Sequence, residues 1–234
     1  MEADVAAAAG LPREHEVVDR LHRHLRAWLG AWPPTEEVTV ATSASRTEPG
    51  WDGAVRPFAG VSTPEGTVLS VAPDCVDAVR GAGPTLDDVL EALPDALGQP
   101  GGVVGRGVYR YCLAPVEVDP IGEWVPATDP DVPAWLRPFG GRVLLVREDG
   151  QYVAGLGIKR HDDLGQELAV ATEEPWRGRG LARALVGRAA GDILRRGGVP
   201  IYLHWRANTA SARVAAASGF PDRGWFILGL PTAS

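Results

Sequence analysis

The sequence predicts a mixed α/β fold of the α+β type, with helices flanking a mixed central sheet and an N-terminal α/β extension. Three observations carry this. The first thirty residues show a helical apolar period. Two apolar runs flank Asp149-Gly150 as a hairpin would. Residues 167–220 then read strand, Gly-containing turn, helix, strand, helix. A chain of 234 residues suffices for one large domain or two small ones, with 45% hydrophobic and 23% charged residues, as in soluble globular proteins.

Residues 13–30 form the first predicted helix, with Val17, Leu21, Leu25 and Trp28/Leu29 at three-to-four spacing. His15, His22 and His24 fall in it, but no further ligands stand at metal spacing, so they read as surface or packing histidines. Val38–Ala41 reads as a strand, Arg46 to Gly53 as a turn-rich loop, and Thr63-Pro-Glu-Gly66 as a loop into the strand Thr67–Val71. Pro73-Asp74 opens a short helix through Arg80. Thr85-Leu-Asp-Asp88 has capping-box spacing and starts another helix, which Pro94 is expected to end. The Gly-rich stretch Gln99 to Gly107 reads as a linker between residues 1–104 and residues 105–234.

The second half opens with the strand Val108–Leu113, followed by an irregular Pro-rich stretch from Ala114 to Pro138. Val143–Val146 and Tyr152–Lys159 flank the turn Glu148-Asp-Gly150, and Asp-Gly between apolar runs is a hairpin signal. Glu167–Thr172 is the next strand. After the turn Arg177-Gly178-Arg179-Gly180-Leu181-Ala182 comes a helix whose apolar face is Leu181, Leu185, Ala189 and Ile193, stopped by Gly197. Val199–Trp205 is a strand, Asn208 an N-cap, and Gly219-Phe220 a helix terminus.

A net charge of -7 argues against nucleic acid or an anionic membrane as partner. Against that background, Trp176 to Arg206 holds seven Arg and one acid, Asp192. Such a segment is either a solvated helix face or a seat for a small polyanion. Cys75 and Cys112 have neither CxxC nor metal spacing and read as reduced thiols. Met1 to Gly10 lacks the basic and apolar regions of a signal peptide, and no apolar run reaches the ~18 residues of a membrane span. A cytoplasmic protein, monomeric or homodimeric, is expected.

The turn before the second-half helix is chemically suggestive. A helix N-terminus presents unpaired N–H groups and a partial positive charge, and glycines let a phosphate approach the backbone. The flanking arginines add charge-assisted donors. By physics alone this is either a tight turn or a pyrophosphate seat. The segment resembles the acetyl-CoA signature of the GNAT acyltransferases, Arg/Gln-x-x-Gly-x-Gly/Ala, here Arg177-x-x-Gly180-x-Ala182. The family's second pattern also follows: a strand (Val199–Trp205), Asn208, then a helix ending in Gly219-Phe220. The resemblance runs from about residue 105 to the end and does not cover residues 1–104.

The resemblance implies a GNAT-like mixed sheet and an acetyl-CoA-dependent N-acetyltransferase that needs no metal. Its acceptor would be the amine of a small-molecule or amino-acid-like compound. A non-catalytic acetyl-CoA-binding module and a protein or peptide N-acetyltransferase are the alternatives. It implies CoA contacts from the backbone of Val170, Ala171 and Thr172, from Arg177, Gly178, Arg179, Gly180, Leu181 and Ala182, and from Asn208 and Ser211. The strands at 167–172 and 199–205 should splay so that the thioester lies between them. Glu167 is the first candidate base, or else a carboxylate facing water. His204 is the second, or else a polar strand end. The chain departs from the family at Ala215, where many members carry the tyrosine that protonates the leaving thiolate. Ser211 and Tyr202 are the candidate donors in its place. Trp124, Trp135 and Trp205 are candidates to line the acceptor site.

Overall fold

The computed structural model describes residues 10–230, so the reading of residues 1–9 lies outside the described part. In chain order the first elements are α1 (Glu14–Leu29), β1 (Val38–Ala41), β2 (Phe58–Thr63), β3 (Gly66–Val71), α2 (Val76–Arg80) and α3 (Leu86–Ala96). Then come β4 (Gly105–Tyr111), β5 (Glu123–Pro126), β6 (Arg142–Glu148), β7 (Gln151–Arg160) and β8 (Gly165–Thr172). The chain finishes with α4 (Leu181–Arg195), β9 (Val199–Trp205), α5 (Thr209–Ala217) and β10 (Phe226–Gly229). Mixed α/β architecture with flanking helices is what the sequence predicts; the strands prove mostly antiparallel.

The described residues form two compact units. One gathers the residues up to Leu21 with Arg110–Tyr202 and Asn208–Pro221; the other gathers His22–Tyr109, Leu203–Ala207 and the residues from Asp222 on. The C-terminal strand therefore belongs with the N-terminal region.

In that second unit the ladder runs β1–β3–β2–β10–β4, antiparallel except for β1 with β3. Its core is Phe58, Leu69, Val71, Val79, Val89, Leu93 and Leu228, supplied by strands and by the apolar faces of α2 and α3. The capping box at Thr85 forms: the Thr85 hydroxyl accepts from Asp88 N at 3.2 Å, and Thr85 N donates back to the Asp88 carboxylate at 3.1 Å. Two expectations are corrected here. Pro94 lies inside α3, which runs on to Ala96; the proline costs one helical hydrogen bond but is itself buried. The Gly-rich stretch is linker only in part. Gly105 and Gly107 belong to β4, where a Cβ would stand 2.8 Å from Trp205 and 2.9 Å from Ile227. The sequence reading also misses β2, β5 and β10.

In the first unit β5–β6–β7–β8 is an antiparallel meander, and β8 then pairs parallel to β9. The β6–β7 turn has Asp149 at φ 49 and Gly150 at φ 79, the double positive-φ geometry that favours Asp-Gly in tight hairpins. Gly155 and Gly157 share one face of β7. Cβ atoms there would stand 2.6 Å from Leu136 and 2.5 Å from Phe139. Their absence lets the 3-10 segment Ala134–Phe139 lie flat on the sheet, over a core of Val125, Val132, Leu136, Val143 and Leu145. On the other face lie α4 and α5, joined by Arg183 Nε to Ala217 O at 3.1 Å and Ser218 Oγ to Arg183 O at 3.3 Å. A reversed terminus closes α5: Phe220 N donates to Ala215 O and Gly219 N to Ala216 O, with Gly219 at φ 88.

Candidate functional site

The site builds from the parting of β8 and β9. Registered pairs run Gly165↔Val199, Gln166↔Pro200 and Glu167↔Ile201, and then stop, although both strands continue. The β9-side edge of residues 168–172 thus has no ladder partner among the described residues, and its backbone groups need another partner. Thr172 Oγ1 is also buried without a hydrogen-bond partner among the described residues.

The chain leaves β8 through a short 3-10 turn, Glu174–Trp176, and reaches α4 through Arg177–Gly180. Gly178 and Gly180 hold φ 78 and 81, the left-handed region that glycine enters without strain. Nothing lies within 4 Å of where their Cβ atoms would be, so both leave open space in front of the first turn of α4. Arg177 Nε donates to Thr172 O at 3.2 Å, tying the loop to the strand end. Arg179 stacks on Trp176, its guanidinium carbon 4.4 Å from the ring centroid.

Gly180, Leu181, Arg179, Arg183 and Ala184 line one wall of a cleft of about 620 Å³; Glu117, Val118, Asp119 and Ile121 line the other. That second wall is strapped to α4. Arg188 Nη1 donates to Ile121 O at 2.6 Å, Trp124 Nε1 donates to Asp192 Oδ2 at 2.8 Å, and Val118 packs 3.0 Å from the Cβ position of Gly187. Trp124 therefore fixes the cleft wall.

Glu167 sits where the strands part, and it is buried. Lys159, directly opposite on β7, donates to Oε1 at 2.6 Å, and His161 Nε2 stands 3.0 Å from Oε2. Burial alone would raise the carboxyl pKa. The His161 hydrogen bond and the Lys159 charge outweigh it, and the carboxyl lies below its ordinary value. Glu167 is thus an ionised carboxylate at neutral pH. The sequence reading named Glu167 but missed Lys159 and His161; the tight loop between β7 and β8 was the available signal, since it sets residue 159 opposite 167. His204 is buried in the second unit, with Nδ1 3.0 Å from Trp205 O. Trp205 is 60% exposed in that unit, and Trp135 is exposed beside Phe139 in the first.

Side chains alternate along a strand, and registered partners share a face. Glu167 and Ile201 therefore share the face on which Phe139 covers Gly157, while Tyr202 turns to the face holding α5. Asn208 caps α5, its side chain accepting from Ser211 N at 3.0 Å. Ser211 Oγ stands 2.9 Å from the Tyr202 hydroxyl. Ala215, one turn along from Ser211, is fully buried. No three His, Cys, Asp or Glu side chains among the described residues are arranged to hold a metal, and no helix there is long and apolar enough to cross a membrane.

The parted parallel strands and the glycine cradle at the following helix accord with an acyltransferase, the class that the family match shows. Residues 113–220 match the Acetyltransferase (GNAT) family and form a domain of it. Among solved structures, a GNAT-family protein from Novosphingobium aromaticivorans is 25% identical, with a TM-score of 0.45 over 57% of this chain and 69% of that one. A GCN5-related N-acetyltransferase-like protein from Streptococcus suis is 17% identical, with a TM-score of 0.49 over 92% of this chain and all (100%) of that one. A GCN5-related N-acetyltransferase from Kribbella flavida is 15% identical, with a TM-score of 0.42 over 93% and 96%. No curated protein matches the chain.

Proposed function

We propose that this protein is an acetyl-CoA-dependent N-acetyltransferase acting on the amine of a small-molecule or amino-acid-like acceptor. The observation that carries the reading is the end of β8–β9 pairing at Glu167↔Ile201, beside the open backbone of Gly178 and Gly180. The two together suit one extended ligand with a polar backbone arm and a diphosphate. The N–H groups of Gly178 to Ala182 take the pyrophosphate, with Arg177 and Arg179 alongside. The open edge of Val170, Ala171 and Thr172 takes the pantetheine amides, and the first turn of α5, with Asn208 and Ser211, flanks the thiol end. The bound thioester supplies an activated acyl carbon.

Glu167 receives the proton of the acceptor ammonium and shares it with His161 across their 3.0 Å contact. The acceptor enters on the Glu167 face, along Phe139 and Trp135, while CoA enters on the face of α4 and α5. A backbone N–H of residues 168–172 steadies the developing negative charge on the acyl oxygen. His204 stays the alternative acid–base group, to be tested by His204→Ala beside Glu167→Gln. Cys75 and Cys112 are thiols and form no disulfide among the described residues, which fits a reducing cytoplasm. The absence of a hydroxyl at Ala215 favours one other reading, a CoA-binding module without turnover. Free-thiol release from acetyl-CoA, screened against primary amines, amino acids and a peptide, separates the two. Amine-dependent release supports the enzyme; saturable binding with no release for any amine supports the module.

A further inference from the structure

The transferase reading leaves one step without a group, because the departing sulfur needs a proton and Ala215 has none to give. We propose that Ser211 is the catalytic residue that protonates the CoA thiolate, with Tyr202 as the positioning residue that orients and recharges it. This rests on the reading above. Ser211 and Ala215 are four residues apart and so lie on one face of α5. The Tyr202 phenol reaches that face from β9: its ring centroid is 5.7 Å from that of Phe220, whose N–H is bonded to Ala215 O. Position 215 carries only a methyl group, and a phenol from β9 reaches the same helix at Ser211. Its hydroxyl meets Ser211 Oγ at 2.9 Å.

The order of the two hydroxyls follows from burial. Tyr202 is 3% exposed and cannot touch a ligand in the strand gap, whereas Ser211 is half-buried in the first turn of α5. Asn208 fixes that turn by accepting from Ser211 N. Burial also raises the phenol pKa, so Tyr202 holds its proton through the neutral range.

The step balances as follows. The amine nitrogen bonds to the acyl carbon, and the carbon–sulfur bond breaks with its electron pair staying on sulfur. Ser211 Oγ–H gives its proton to sulfur, and Tyr202 Oη–H restores Ser211. Tyr202 regains a proton from solvent once CoA leaves. The ammonium gives one proton to Glu167 before the attack, and the nitrogen gives a second to solvent as the amide forms; Tyr202 takes one proton back, so each turnover yields amide, free thiol and one released proton.

The test uses CoA itself and needs no acceptor. A hydroxyl donating to sulfur favours the thiolate, so the thiol of bound CoA titrates below that of free CoA. The ultraviolet absorbance of the thiolate is followed against pH at saturating CoA in wild type, Ser211→Ala, Ser211→Thr and Tyr202→Phe. Loss of one charge-assisted hydrogen bond raises the bound-thiol pKa by about one pH unit. Ser211→Ala should show that rise, Tyr202→Phe a smaller one, and Ser211→Thr, which keeps the hydroxyl, the wild-type value. A purely structural role for the pair would leave the titration unmoved. Circular dichroism shows which variants are folded, and a folded Ser211→Ala with an unchanged thiol pKa overturns the assignment. If Ser211→Ala does not fold, Ser211→Thr and Tyr202→Phe decide: a shift in both, or in neither, contradicts the relay. Wild-type protein that binds no CoA sinks the transferase reading itself, which is a different and distinguishable failure.

Discussion

Gly180→Asp places a carboxylate where the pyrophosphate is proposed to lie, and the structure lets its effect on folding be separated from its effect on binding. Sterically the new side chain meets nothing, since no atom lies within 4 Å of the Cβ position. Conformationally it must hold φ 81, which costs an L-residue about 1–2 kcal/mol, and Asp is among the more tolerant types. Against that, Gly180 is the N-cap of α4, where a negative charge suits the dipole, returning about 0.3–1 kcal/mol. The net change is about 1 kcal/mol or less, a melting shift of roughly 2–4 °C at this chain length. Binding is another matter. Two like unit charges ~4 Å apart repel by about 4 kcal/mol at an effective dielectric near 20, or about a thousandfold in Kd. Gly180→Ala carries the same backbone strain without the charge. Calorimetric titration with CoA should therefore show a modest loss for Ala and a loss of at least about a hundredfold for Asp. A folded Asp variant that binds CoA within about threefold of the Ala variant refutes the placement of the pyrophosphate.

Three further predictions follow from the same geometry. Glu167→Gln should lower turnover by about 10²–10⁴-fold and leave CoA affinity within about threefold, since it removes a proton acceptor on the far face of the sheet; steady-state rates at wild-type level would remove Glu167 from the chemistry. Because the folded Glu167 carboxyl lies below its ordinary value of 4.5, its stabilising effect is complete above that pH and declines as pH falls through the lower folded value. Denaturant melts between pH 6 and pH 3 (~ values spanning the carboxylate range) should show less acid loss in Glu167→Gln than in wild type, and equal losses contradict the ion-paired account. Gly157→Ala forces a Cβ to within 2.5 Å of Phe139; overpacking of this kind costs about 1–3 kcal/mol, read as a melting shift of roughly 2–12 °C, and an unchanged melting temperature would contradict the flat seating of Ala134–Phe139.

How much of this was legible in the sequence varied with the range of the interactions. The helix entry at Gly180, the N-cap at Asn208, the Asp149-Gly150 turn and the Thr85 capping box are local chemistry, and each stands where its residues place it. Strand β10 was missed because it is four residues long and its neighbours, β2 and β4, lie far back along the chain. By contrast, β2 forms a hairpin with β3, whose turn at Thr63–Gly66 reads as a loop only, and β5 pairs with β6 from within the Pro-rich stretch that reads as irregular. Gly105 and Gly107 looked like linker because the neighbours that exclude their side chains, Trp205 and Ile227, lie about a hundred residues on. The same holds at the site. The cradle was readable, since glycines before a helix carry their own reason. The ion cluster around Glu167 depends on the β7–β8 register, and the Tyr202–Ser211 pair on how α5 lies against β9. Pro94 misled for a different reason: a proline near a helix end costs one hydrogen bond, and its own burial offsets that.

The most direct test is a crystal structure with acetyl-CoA bound. The account predicts the pyrophosphate on the backbone amides of Gly178 to Ala182, the pantetheine arm along residues 168–172 of β8, and sulfur within hydrogen-bonding distance of Ser211 Oγ. Acetyl-CoA seated elsewhere, or crystals soaked at saturation that leave the β8–β9 gap without the pantetheine arm, would contradict it.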